Sequence, residues 1–355
     1  MNTRKFISIP ALIALAVLAF GQAFAAGPDK PGPGKGNVVT VAFYNMENLF
    51  DAVDDPAIND EEFLPNGANQ WTEERYKHKL ANMSKVISQL GSEDGPDVLG
   101  MCEVENKKVL EDLIATQALK KKGYGIIHSN SPDQRGIDCA FLYRVKRFTP
   151  LYQQAYTVPF PENKDLATRD ILLVKGILDK KHDVTFIVNH WPSRREGQQE
   201  SSWKRERAAQ TLRTAIDSIL GIDPYANIVM MGDFNDEPLD ISMNKTLKAG
   251  RDSVEACATL LYNCMASIKA EGRGTLKFKG GWNLFDQMIV STAMITKKSL
   301  LQYQKGSANV FNPDWMRQVN ETGDWKDAPK RTFIGKKYME DGFSDHFPVY
   351  INLVY

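Results

Sequence analysis

The sequence predicts an α/β fold, and three observations carry that expectation. Short apolar runs rich in β-branched and aromatic residues recur along its 355 residues. Amphipathic stretches with apolar residues every three or four positions lie between them. Several runs are joined by polar turns containing Pro, Gly or Asp, the pattern of antiparallel hairpins. With 43% hydrophobic and 25% charged residues the composition is that of an ordinary globular protein. Length alone admits two average domains or one large sandwich.

The first 26 residues read as an export signal. Arg4 and Lys5 precede an apolar run from Phe6 to Phe20, and Ala23-Phe24-Ala25 gives a small-x-small cleavage pattern. The run is shorter than a comfortable membrane span. Residues 27–37 begin with GPDKPGPGKG and read as a flexible linker. The expected division is signal peptide 1–26, linker 27–37 and a single domain 38–355, exported to the periplasm or the extracellular space.

Asn37 to Tyr44 is a strand by composition and ends in Asn45-Met46-Glu47-Asn48. After an acidic loop, Thr72 is placed to cap a helix whose Tyr76, Leu80, Met83, Ile87 and Leu90 form one apolar stripe. Val98 to Cys102 is a second buried strand, delivering Glu103, and a helix follows from Lys107 to Leu119. Tyr124–His128 with Ile137–Tyr143, and Asp170–Leu178 with Val184–Asn189, read as hairpins, the second ending in His190-Trp191-Pro192. The next helix carries Trp203, Leu212, Ile216 and Leu220 on its apolar face, with Lys204, Arg205 and Arg207 expected on a wet one. Ile228 to Met231 is a short buried strand, after which Gly232 is expected to turn the backbone toward Asp233, Asn235 and Asp236.

One or two helices are expected between Ile241 and Ala270, then a hairpin whose last strand, Leu284 to Val290, contains Asp286. A charged group inside an apolar strand requires a partner. Thr296 to Lys337 reads as a polar surface excursion, and Ser344-Asp345-His346 precedes a final strand. Four cysteines, Cys102, Cys139, Cys257 and Cys264, are read as unbridged thiols, and no Cys/His spacing matches a zinc site. Forty-four basic residues balance 44 acidic ones, so a polyanionic partner must be held by local charge or by a metal.

Polar clusters therefore stand at six strand boundaries: Asn45, Glu103, Asn189/His190, Asp233/Asn235, Asp286 and Asp345/His346. Any one alone reads as a turn former or a packed polar residue. The ordered set is what metal-assisted phosphodiester cleavage needs: carboxylates for a hard cation, a base for water and donors for phosphoryl oxygens.

The blocks GDFND and SDHFPV, with YNMEN, CEVEN, NHWPSR and FDQMIVS, resemble the endonuclease/exonuclease/phosphatase (deoxyribonuclease I-like) superfamily, here as a secreted bacterial member. The resemblance spans Val38 to Tyr355. It implies a four-layered α/β sandwich, two mostly antiparallel β-sheets packed face to face with helices on the outer faces. It also implies that Asn45 and Glu103, helped by Asp345, hold Mg²⁺, with Mn²⁺ or Ca²⁺ as substitutes. His190 would bond the scissile phosphate, Asp233 activate or orient water, and Asn235 steady a phosphoryl oxygen. His346 would be a second imidazole oriented by Asp286, while Arg169 and Asn189 would contact phosphate. Asp138 lies in the strand that should approach His190 and is a candidate to pair with it.

The implied activity is a metal-dependent endonuclease acting on nucleic acid, DNA ahead of RNA, as a monomer without stable membrane association. The alternative keeps the chemistry but takes a lipid headgroup or small phosphorylated molecule, with Trp315 and Trp325 as candidates for membrane contact. A non-catalytic binding module is opposed by the retention of every expected position.

Overall fold

β-Branched and aromatic runs become strands that collect into two mixed sheets. In the computed structural model, residues 37–253, 256 and 260–355 are described; the expected signal peptide, the linker as far as Gly36, and Cys257 lie outside them. In chain order the strands are β1 (Val38–Leu49), β2 (Val98–Val104), β3 (Tyr124–His128), β4 (Asp138–Arg144), β5 (Phe148–Tyr156), β6 (Ile171–Leu178), β7 (His182–His190) and β8 (Ile228–Asp233). There follow β9 (Leu261–Asn263), β10 (Leu276–Phe278), β11 (Gly281–Asn283), β12 (Asp286–Ser291), β13 (Gln302–Tyr303), β14 (Asn309–Val310), β15 (Phe333–Ile334), β16 (Lys337–Tyr338) and β17 (Val349–Val354). The helices are α1 (Glu73–Ile87), α2 (Lys107–Ala115), α3 (Ser202–Ile222) and the short α4 (Ala266–Ala270).

The first sheet has the order β13-β17-β1-β2-β4-β3, with β14 also on β17, and the second β5-β6-β7-β8-β12-β9. Each contains one parallel pair, β1 with β2 and β7 with β8, among antiparallel neighbours. Along β8, Val229 and Met231 enter the core between the sheets, while Ile228 and Met230 pack on the outer side. There they meet Leu212, Ile216 and Leu220 of α3. α1 and α2 bury Leu80, Met83, Val109 and Leu113 in the cluster of the first sheet. The chain is thus a four-layered α/β sandwich.

Close contact between the sheets depends on Gly100 of β2, where a Cβ would lie 2.5 Å from Met231 Sδ. Gly232 does not turn the backbone as expected. It lies within β8, and a Cβ there would meet the Asn189 carbonyl oxygen at 2.4 Å, so the missing side chain serves the close approach of β7. The strand β5 was not foreseen: it is a half-exposed edge strand, with a register shift between Pro150 and Tyr152. Helix α2 stops at Ala115 rather than Leu119 because Thr116 turns extended (ψ 157°). Thr72 caps α1 as expected, accepting from Arg75 N at 3.3 Å.

Two charges are internal, one of them, Arg205, expected on a wet face. Arg205 is wholly buried, its Nε 2.7 Å from Asp236 Oδ1, while Lys79 sits inside the apolar stripe of α1. Cys102, Cys139 and Cys264 are free buried thiols. Among the described residues no helix is long and apolar enough to cross a membrane.

Candidate active site

Strand direction brings the polar boundaries together. Because β1 and β2 run parallel with Asn45 opposite Cys102, Asn45 and Glu103 emerge side by side. In the other sheet His190 pairs with Asp233 across the parallel β7/β8 ladder, and the antiparallel β12 sets Asp286 against Asp233 from the other side. β17 runs antiparallel to β1 with Val349 opposite Phe43, so the residues before it, including His346, reach the same end. Backbone geometry there is special: Glu47, Asn48, Glu103 and Asn235 have φ of 47°, 57°, 58° and 50°. Non-glycine residues are uncommon in this left-handed region and gather at functional sites.

Asp233 is the hub. Its Oδ1 accepts from Asn235 N at 2.9 Å and its Oδ2 from Asn45 Nδ2 at 3.1 Å. His190 Nε2 stands 3.7 Å and His346 Nε2 3.8 Å from the same Oδ2. Burial pushes the Asp233 carboxyl up to about 7; the positive His346 pulls it down and Asp286 adds to the rise.

The two imidazoles are driven apart. Burial, then the guanidiniums of Arg169 and Arg135, hold His190 well below the usual histidine range, so its ring is neutral. His190 Nε2 also lies 3.8 Å from Glu103 Oε1, and its buried Nδ1 has no hydrogen-bond partner among the described residues. For His346 burial again opposes the charge. The carboxylates of Asp286 and Asp233 and the hydrogen bond to Asp286 outweigh it and raise the ring well above its usual range. His346 Nδ1 donates to Asp286 Oδ2 at 2.7 Å, which supplies the partner that Asp286 required.

Asn235 donates from its side-chain amide to the Trp191 carbonyl at 3.0 Å, leaving a second N–H. Glu103 Oε2 accepts from Asn48 N at 3.0 Å and faces Arg135 Nη2 at 3.6 Å. Asn45 Oδ1 accepts from Glu47 N at 2.9 Å. Asp345 is partly open, with His346 Nε2 4.0 Å away.

Two expectations change. Asn189 is fully buried: its amide N–H groups face the carbonyls of Ile187 (3.4 Å) and Met231 (3.3 Å), and its oxygen takes the Trp191 indole N–H at 3.2 Å. It braces the end of β7 and has no donor left for phosphate. Asp138 does not reach His190; it accepts from Ser131 N at 2.7 Å and lies 2.9 Å from His128 Nε2. Arg169 is also engaged, by Asp133 Oδ2 at 3.1 Å and the Trp191 carbonyl at 2.6 Å, and its buried Nε has no hydrogen-bond partner among the described residues.

The donor set fits a divalent cation. Buried Asp233 and Asp286 bring carboxylate oxygens within 4.8 Å of one another beside the His346 ring, which as an imidazolium donates and does not ligate. With Glu47, Glu103 and Asp345, five carboxylates gather at this end, and among the described residues Asp286 Oδ1 is buried with no hydrogen-bond partner. A set of hard oxygen ligands suits Mg²⁺, Mn²⁺ or Ca²⁺ rather than zinc.

Sequence reasoning missed Lys79. Its Nζ donates to the carbonyls of Glu47 (3.3 Å) and Phe343 (2.7 Å) and to the Thr332 hydroxyl, and lies 3.9 Å from Glu47 Oε2. A lysine three residues after Tyr76 falls on the apolar face, and that position was the available signal.

No curated protein matches the sequence. Solved structures share the fold at low identity. A humanized D. rerio TDP2 is 15% identical with TM-score 0.54, over 89% of this chain and 98% of that one. The mannosyl-6-phosphatase of Bacteroides thetaiotaomicron is 17% identical with TM-score 0.52, over 89% of this chain and 100% of that one. The human Nocturnin catalytic domain with bound sulfate is 14% identical with TM-score 0.52, over 90% and 97%. The family model described as the Endonuclease/Exonuclease/phosphatase family matches residues 40–355. Taken with the buried carboxylate and imidazole cluster, that match means the chain belongs to the endonuclease/exonuclease/phosphatase family of metal-dependent phosphoester hydrolases.

Proposed function

We propose that the protein is an exported, Mg²⁺-dependent phosphodiesterase that cuts nucleic acid internally by water attack, DNA in preference to RNA. The observation that carries the reading is the geometry around Asp233, whose Oδ2 accepts from Asn45 Nδ2 at 3.1 Å and stands 3.7 Å from His190 Nε2 and 3.8 Å from His346 Nε2. A carboxylate placed among these donors is suited to orient water and take its proton. His190 bonds the scissile phosphate, Asn235 offers its free amide N–H to a phosphoryl oxygen, and His346, fixed by Asp286, places positive charge where negative charge develops. Glu103 and Asn45, with Asp345, are the residues that would hold Mg²⁺, which would supply positive charge toward the phosphoryl oxygens. Asp286 and His346 then serve each other, because their shortest contact already joins them.

In support of a nucleic-acid substrate, a D. rerio TDP2 of the same fold is described in complex with a single-strand DNA product. The test is nicking of supercoiled plasmid in Mg²⁺ and its arrest by EDTA. His190→Ala and Asp233→Asn should each lose about 10²–10⁴-fold in turnover. A His190→Ala protein cutting at the wild-type rate would sink the assignment.

The mannosyl-6-phosphatase neighbour favours a second reading, a small phosphorylated substrate. A panel of plasmid, single-stranded DNA, RNA, sphingomyelin and a sugar phosphate, each with Mg²⁺, Mn²⁺ and Ca²⁺, separates the two. Export, the division at residues 26 and 37, and a monomeric state belong to the same proposal; N-terminal sequencing of the secreted protein and its sedimentation test them.

A further inference from the structure

Beside the catalytic residues lies a groove of about 420 Å³, a size usual for small-ligand sites. The acidic loop after β1, the β3–β4 turn and the loop after β7 build it, and the catalytic reading leaves it without a role. Asn48 and Arg135 join it to the catalytic end. Asn48 donates its backbone N–H to Glu103 Oε2 at 3.0 Å, while its side-chain oxygen accepts from Arg135 Nη2 at 2.6 Å. Arg195 is an exposed lining residue with no hydrogen bond or ion pair among the described residues. Two guanidiniums close to His190 form a place for an anion beyond the scissile phosphate itself.

The groove also has an aromatic surface held in place. Phe63 stacks on buried Phe50 with ring centroids 4.3 Å apart and planes 5° from parallel, and meets Trp71 edge-on at 6.2 Å. The Trp71 indole N–H bonds the Phe50 carbonyl at 3.0 Å, so this column is fixed before any ligand arrives. Asn59, Glu61 and Glu62, all exposed, add an amide and two carboxylates to the lining. An aromatic plane, hydrogen-bond acceptors and cations beside a phosphate-cleaving centre match a nucleoside phosphate: a flat base with N–H donors on its edge and an anion next to it. An acyl chain would leave the cations unused.

We propose that this groove is the subsite for the nucleoside and phosphate flanking the scissile bond, with Phe63 against the base and Arg195 on the adjoining phosphate. The assignment rests on the nucleic-acid reading above. Its test begins with calorimetry of adenosine 5′-monophosphate and of inorganic phosphate in EDTA, where no turnover occurs. Arg195→Ala should weaken nucleotide binding about tenfold, and Phe63→Leu should weaken the nucleotide several times more than inorganic phosphate. Lys298→Ala, which removes an exposed charge beyond the far end of β12, should bind as wild type. In kinetics on a single-stranded oligonucleotide, Arg195→Ala should raise KM about tenfold more than it does on bis-p-nitrophenyl phosphate.

Wild-type nucleotide affinity in both Arg195→Ala and Phe63→Leu would overturn the subsite. A urea midpoint for each variant separates loss of the groove from loss of the fold, and Arg195 is exposed enough that its variant tests the idea alone. Should the protein cut no nucleic acid while Arg195→Ala still loses the nucleotide, the proposed function falls and the subsite stands. Plasmid cutting with unaltered nucleotide binding gives the converse.

Discussion

Replacing Lys79 by Met isolates the contribution of the buried cation behind the catalytic end. The side chain is wholly inaccessible, and its ammonium donates to two carbonyls and one hydroxyl beside the Glu47 carboxylate. Methionine matches its length but leaves the Glu47 carbonyl and part of the Glu47 carboxylate without a partner. The Phe343 carbonyl keeps the Thr332 hydroxyl at 3.2 Å, and Glu47 Oε2 keeps Thr332 N at 2.6 Å, so the loss is less than the sum of three bonds. Removing one partner of a buried ion pair costs about 3–5 kcal/mol, whereas neutralising both is often close to neutral. Urea unfolding should therefore show Lys79→Met about 3–5 kcal/mol less stable than wild type, with Glu47→Gln/Lys79→Met recovering 1 kcal/mol or more, about what a double-mutant cycle reports for contacting residues. A Lys79→Met loss under about 1 kcal/mol, or a double variant that merely adds the two single losses, would refute the reasoning.

Three further outcomes are expected. Asp286 sustains the proton on His346, so Asp286→Asn should lower turnover about 10²-fold. His346 is held above its ordinary range and loses its charge as pH rises through the raised value; without Asp286 the alkaline limb of kcat/KM should move to lower pH, and an unmoved limb would exclude the role. A divalent ion that binds only the folded state adds about 2.7 kcal/mol at a hundred times its Kd. Mg²⁺ should accordingly raise the melting temperature of the wild type, and most of that rise should vanish in Glu103→Gln; an equal rise in both would remove Glu103 from the metal site. Burial pushes the thiols of Cys102, Cys139 and Cys264 up, so mass mapping after labelling at pH 8 should find them unmodified until the protein is unfolded.

The layers were legible because period and burial agree. β8 alternates between inner core and outer helix with period two, and α3 places Leu212, Ile216 and Leu220 on one side, as the spacing of apolar residues requires. The convergence of the polar strand ends was legible for a related reason: termini that carry Asn, Asp, Glu and His come together once the ladders are paired. What stayed hidden depends on partners distant in the chain. Lys79 is satisfied by Phe343, 264 positions away, and Arg205 by Asp236, so neither charge announces its burial locally. Asn189 and His190 are adjacent and look alike as candidates. Alternation along β7 sends one into the interior against Trp191 and the other toward Asp233, a distinction that needs the register of the parallel pair. Asp138 was mispaired because its neighbours Ser131 and His128 across the β3–β4 turn capture it first. β5 carries neither a clean alternation nor a buried run, and only its ladder to β6 defines it.

The pairing of β1 with β17 also governs how the molecule can be made. Val38 faces Val354 and Phe43 faces Val349, so the outer edge of β1 stays unpaired until nearly all the domain has been synthesised. During that interval the growing chain presents an open row of backbone N–H and C=O groups, a template for association with other chains. The segment that closes this edge is also the one that brings His346 to Asp286. Pairing of this edge and formation of the His346–Asp286 contact thus both wait for the same late segment, and a nascent or clipped chain lacking it has neither.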